Sequence, residues 1–186
     1  MSSIVVNSDA DNATPGDGLV TLREAITAAN SDTATDTGQT GSGSDTITFA
    51  LGPGAHTINL TGALPELSTD MQIQGPGADL LTVRRDTGGD YRIFTVPAGS
   101  VVGLSGMSIA NGLAPGGFFS SVGGGIYNAG TLTVNNCTIS GNSAGVGGGI
   151  SNSLIFFQPE SLGILSVNNC IFSGNSASDR GGGSTG

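Results

Sequence analysis

Lysine and tryptophan are absent from this sequence, histidine occurs once and cysteine twice. The five basic residues, Arg23, Arg84, Arg85, Arg92 and Arg180, face 14 acidic ones, for a net charge of −9. With no basic patch and an excess of negative charge the chain repels phosphate, which excludes nucleic acid as a partner. The lone His56 and the two cysteines give no metal-ligand spacing, so a structural zinc site is excluded as well. No stretch approaches the roughly 18 apolar residues of a membrane span. The opening Met1-Ser-Ser-Ile-Val-Val6 has neither the basic start nor the apolar stretch of a signal peptide, and a piece cut from a longer protein would look the same. Only 10% of residues are charged, yet Val, Ile, Leu and Thr fill alternating runs that disordered chains lack. The 33 glycines follow no three-residue period, which excludes collagen.

What the sequence does contain is one unit written twice. Gly130-Thr-Leu-Thr-Val-Asn-Asn-Cys-Thr-Ile-Ser-Gly-Asn-Ser-Ala144 returns as Gly163-Ile-Leu-Ser-Val-Asn-Asn-Cys-Ile-Phe-Ser-Gly-Asn-Ser-Ala177, 33 residues later. A fixed period of this size marks a repeat architecture. Within the unit Leu132 and Val134 alternate with Thr133 and Asn135, and after a break at Asn136 the alternation resumes with Cys137 and Ile139. This predicts two short strands joined at an asparagine, a residue that tolerates the left-handed conformation a sharp bend needs. A third strand, Gly125-Ile126-Tyr127-Asn128, precedes them. Three strands and three corners describe one coil of a parallel β-helix, stacked on its neighbours at about 4.8 Å. A leucine-rich-repeat solenoid would need a leucine consensus and usually a helix in each repeat, and neither is present.

Upstream, Ile4-Val5-Val6 is a short β run placed to pair with the first coil, and residues 7–18 form a polar loop. In that loop Asp9, Asp11 and Asp17, with Asn12, are weak calcium candidates, because the spacing, glycine and closing glutamate of an EF-hand are missing. The helix signal spans residues 21–30. Thr21 and Glu24 make a capping box, and Leu22, Ala25, Ile26 and Ala29 share one apolar face. A single amphipathic helix before a solenoid suits a lid over the exposed core and unpaired backbone of the first coil, built on Thr21, Leu22, Glu24 and Ile26. Residues 31–44 read as a flexible connection.

Val20-Thr-Leu-Arg-Glu-Ala-Ile26 with Ala28-Ala29-Asn30 resembles the Cys-Ser-Leu-Arg-Glu-Ala motif of the CSLREA-domain proteins, which are large bacterial surface or secreted proteins. The Gly-Gly-Gly-Ile-Tyr-Asn and Asn-Asn-Cys-Thr-Ile-Ser-Gly-Asn units look like the repeats those proteins share with pectin lyase-like β-helices and polymorphic outer-membrane proteins. The resemblance implies a right-handed parallel β-helix and a place outside the cell or on its surface. Val20 stands where that family has cysteine, so any disulfide the family forms there is missing.

The predicted organisation is therefore all-β. Residues 1–45 hold the strand, loop, lid and connection, and residues 46–186 form a parallel β-helix of roughly five coils that is open at its C-terminal end. Residues 112–122 and 153–162 break the period and must leave the coil as loops, carrying Phe118-Phe119 and Phe156-Phe157. Cys137 and Cys170 occupy matching places on successive coils, where in-register strands aim both Cβ atoms the same way; free, buried thiols are expected. Asn111, Asn142 and Asn175 are expected to stack as a ladder of side-chain amides. Residues 84–92 gather Arg84, Arg85, Asp86, Asp90 and Arg92 into a polar turn with surface ion pairs.

A polysaccharide lyase needs a calcium-binding carboxylate cluster and a base, and a hydrolase needs paired carboxylates. Neither set is recognisable, so no catalytic residue and no cofactor beyond the weak calcium candidates is assigned. The expected function is structural or adhesive. Its partners are copies of the same chain, end to end or side by side, through Ile171 and Phe172 on the open edge and through the two phenylalanine loops. Polysaccharide cleavage and glycan binding at a cell surface are the alternatives.

Overall fold

The computed structural model describes residues 2–114, 121–152 and 163–178. Strand β1 (Ser2–Val6) is followed by helix α1 (Leu22–Ser31). The first turn holds β2 (Asp45–Phe49) and β3 (His56–Leu60), and the second β4 (Met71–Gln74), β5 (Leu81–Arg85) and β6 (Phe94–Val96). The third comprises β7 (Val101–Ser105), β8 (Ser108–Ala110), β9 (Leu113–Ala114) and β10 (Ile126–Asn128). The fourth repeats this with β11 (Thr131–Asn135), β12 (Thr138–Ser140), β13 (Ser143–Ala144) and β14 (Ile150–Asn152), and β15 (Ile164–Asn168), β16 (Ile171–Ser173) and β17 (Ser176–Ala177) begin another.

These strands stack into parallel sheets, the longest in the order β1-β2-β4-β7-β11-β15, which makes a β-solenoid of about four turns. The expected fifth coil is the incomplete one begun by β15. The circumference varies while the register does not slip: 26 residues separate Asp45 from Met71, 31 Met71 from Val102, 30 Val102 from Leu132 and 33 Leu132 from Leu165. Extra residues go into corners, because a slip of one residue would turn every core side chain outward.

The core is a set of aliphatic columns. Ile4, Ile47, Ile73, Leu104, Val134 and Val167 align on one sheet, and Ile58, Val83, Ile109, Ile139 and Phe172 on another. All are fully buried except the last of each column. Each such side chain contributes roughly 1.5–3 kcal/mol when buried.

The bend predicted at Asn136 is present, with φ of 53°, and Asn169 repeats it at 50°. One coil earlier Gly106 takes the same place at 61°. The structure adds a fourth sheet to the expected three, the two-residue strands β9, β13 and β17. A two-residue strand, Leu113-Ala114 or Ser-Ala in the later coils, is too short to show alternation, which hides this sheet in the sequence. The triple glycines mark close backbone approach. A Cβ on Gly124 would run into the Ser143 carbonyl oxygen, and one on Gly125 would lie 2.6 Å from that of Gly149.

Candidate functional site

Three places gather polar chemistry: the cap, the asparagine stacks and a groove beside β5. At the cap, Thr21 closes α1 with the predicted capping box; its hydroxyl accepts from Glu24 N, and the Glu24 carboxylate accepts from Thr21 N at 2.9 Å. Leu22, Ala25, Ile26, Ala28 and Ala29 are buried, and α1 packs against β1 and β2 as a lid on the first coil.

Arg23, a residue the sequence reading left without a role, fastens that lid. Its Nε and Nη2 donate to the two oxygens of Asp11 at 2.9 Å each, and its Nη1 and Nη2 reach the carbonyls of Ala63 and Gly62 at 2.6 and 2.9 Å. The Asp11 side chain is 1% exposed and also accepts from Thr61 N at 2.7 Å. Helix, loop and first coil thus meet at one bidentate pair. The available signal was that Arg23 is the only basic residue in the first 83.

The calcium candidates separate. Asp11 is held by Arg23 and Thr61, Asp9 lies 3.1 Å from His56 Nδ1, and Asp17 accepts from Leu19 N at 2.8 Å. Asn12 Oδ1 is buried with no partner among the described residues. No group of three or more His, Cys, Asp or Glu side chains is arranged to hold a metal ion among those residues. Residues 31–44, expected to be loose, carry an antiparallel bridge between Ala34 and Thr40, and Gln39 Oε1 accepts from Val5 N at 2.7 Å.

Side-chain amides run from coil to coil. Asn128 pairs with Asn152 at 2.6 Å, Asn135 with Asn168 at 3.0 Å, Asn136 with Asn169 at 2.7 Å and Asn142 with Asn175 at 3.0 Å. Asn142 is fully buried; its Nδ2 also donates to the Ile109 carbonyl at 3.0 Å and its Oδ1 accepts from Gly112 N at 2.8 Å. Asn111 does not belong to this stack. The register Ile109 to Ile139 puts Gly112 under Asn142, and Asn111 sits instead at the left-handed corner shared with Gly141 and Gly174.

Cys137 and Cys170 are free thiols, Cys137 buried and Cys170 partly so. Cys137 N donates to Cys170 Sγ at 3.5 Å, and burial pushes the Cys137 thiol up to about 11. Ile171 is 64% exposed, and Phe172 is partly buried at the end of its column. Phe118, Phe119, Phe156 and Phe157 lie outside the described residues.

The third place is a groove of about 380 Å³ that includes Arg84, Arg85, Asn111 and Ser143 in its lining. Arg84 Nε donates to Asn59 Oδ1 at 2.7 Å and Arg85 Nε to the Asn111 carbonyl at 2.9 Å. The ion pairs are loose, Arg84 to Asp86 at 3.9 Å and Arg85 to Asp90 at 3.7 Å, while the Arg92 guanidinium lies 5.1 Å above the Tyr127 ring. Burial lowers the Arg92 pKa. No protein-family model, curated protein or solved structure matches this chain.

Proposed function

We propose that this chain is a non-enzymatic structural or adhesive module of a bacterial surface protein, working outside the cell through its shape and through contacts with copies of itself. The observation that carries the reading is where the polar side chains of the repeat go. Asn128, Asn135, Asn136 and Asn142 each bond to the asparagine one coil on, and Ser176 bonds Ser143 at 2.9 Å, so the repeat spends its hydrogen bonds on itself. Satisfied stacks of this kind stiffen and specify a fold, which is what a spacer or fibre element requires. The likeness of residues 20–30 to the Cys-Ser-Leu-Arg-Glu-Ala motif supports a surface location.

A second reading, glycan binding or cleavage, draws on the groove at Arg84 and Arg85, whose guanidiniums have donors to spare beyond the bonds described. Incubation with pectate and alginate, with and without calcium, separates the readings. The expected result is no product. Turnover abolished by Asp86→Ala or Asp90→Ala replaces the structural reading with an enzymatic one, and binding without turnover that is lost in Arg84→Ala makes the chain a glycan receptor.

A further inference from the structure

Two cysteines and three methionines are all the sulfur the chain has, and three of these five residues stand in one column. Ser108 pairs in register with Thr138, and Thr138 with Ile171, so the residues just before them, Met107, Cys137 and Cys170, occupy one place on three successive coils. The backbone ladder agrees: Thr138 N donates to the Met107 carbonyl at 3.1 Å and Ile171 N to the Cys137 carbonyl at 2.9 Å. Met107 and Cys137 are buried, and Cys170 packs against the same core. Each thiol leans toward the coil before it. Cys137 Sγ donates to the Leu104 carbonyl at 3.8 Å, in the coil of Met107, and Cys170 Sγ to the Val134 carbonyl at 3.5 Å, in the coil of Cys137.

Side chains in register on neighbouring strands repeat at about 4.8 Å. That spacing is too long for a disulfide, which brings its Cβ atoms to about 3.5–4.5 Å and its sulfurs to about 2.0 Å. It matches two sulfurs on opposite sides of one metal ion, since zinc–sulfur bonds are about 2.3 Å and those of copper, its neighbour in the same row, are similar. Zinc itself takes four ligands, and no third His, Cys, Asp or Glu joins the pair among the described residues. Cu(I) accepts two or three sulfurs, and thiolate with thioether is the donor set that selects it.

We propose that Cys137 and Cys170 bind one Cu(I) ion between their coils, with the Met107 thioether as a third, weaker donor. Each thiol gives its proton to solvent as its bond to copper forms, so one Cu(I) replaces two protons, no electron moves, and the site carries a single negative charge. Cys137 N, which donates to Cys170 Sγ at 3.5 Å, offsets part of that charge, as amide donors do at metal-bound sulfur. Asn136, directly before Cys137, is exposed at its left-handed corner, which puts the column one residue from solvent. An ion here joins two coils across their hydrogen-bonded ladder and stabilises the folded chain by binding it alone. The site goes beyond the structural reading and does not depend on it.

Anaerobic titration of the full chain with Cu(I), supplied as its bicinchoninate complex with ascorbate, tests this in wild type, Cys137→Ser, Cys170→Ser and Met107→Leu. The expected result is transfer of one Cu(I) per chain, a new ultraviolet sulfur-to-copper absorption, protection of both thiols from a thiol reagent and a higher urea midpoint. Loss of a supporting contact alone costs a metal site roughly 10–100-fold, so either serine should weaken uptake at least about a hundredfold and leucine at 107 about tenfold. A wild type that leaves the copper with the chelator, or serine variants that take it up as tightly as wild type, overturn the proposal; indifference to leucine overturns the part given to Met107. Circular dichroism checks folding. Should neither serine variant fold, X-ray absorption of the copper-loaded wild type decides: two or three sulfur neighbours support the site, and nitrogen or oxygen neighbours overturn it.

Discussion

Cys137 shows how a repeat position acquires its own chemistry from burial. Its thiol titrates at about 11 instead of 9.0, chiefly because the thiolate would lose its hydration in the core. The folded state therefore holds a proton that the unfolded chain releases, so this contribution to stability is complete below pH 9.0 and is lost as the pH rises through about 11. Under reducing conditions wild type should lose on the order of 2–3 kcal/mol more than Cys137→Ala across that window, measured by urea unfolding at each pH. Equal losses would place the thiol in water. At this scale the sequence was uneven. Asn136 announced its bend because few other residues accept a left-handed backbone. Asn111 misled, because a Gly and an Asn exchange places at that corner and the neighbouring asparagine is one position out of register.

Among elements, α1 carries the clearest consequence. Ile26 is fully buried beneath the helix, and Arg23 fixes the helix to Asp11 and to the carbonyls of Gly62 and Ala63. Ile26→Asp sets an unpaired charge against the core and should cost several kcal/mol. Arg23→Ala leaves the Asp11 carboxylate buried without its counter-charge and should cost about 3–5 kcal/mol. Denaturant melts of both variants check this, and wild-type stability in either would mean the lid does not close the first coil. The helix was readable because a capping box and a 3.6-residue apolar stripe are local signals. The Arg23–Asp11 pair was not, because both residues are ordinary in the sequence and only the folded loop joins them. The strands at 126–128, 131–135 and 138–140 were legible from alternation and repetition, whereas β9, β13 and β17 show only in the fold.

For the molecule as a whole, stacking dictates the direction of its bonds. Each coil is joined to the next by backbone and amide hydrogen bonds that run along the solenoid axis, with the chain entering at β1 and leaving at β17. A pull applied between the two ends therefore loads these bonds along their length and one coil at a time. Under tension in an optical trap the chain should lengthen in discrete rips, beginning with the half-exposed β15–β17 coil. Each rip releases one circumference, which for the 33 residues from Leu132 to Leu165 is about 110 Å at roughly 3.3 Å per residue. A rod built this way is an extensible tether: it yields by paying out chain in measured steps while the coils nearest the helix still hold.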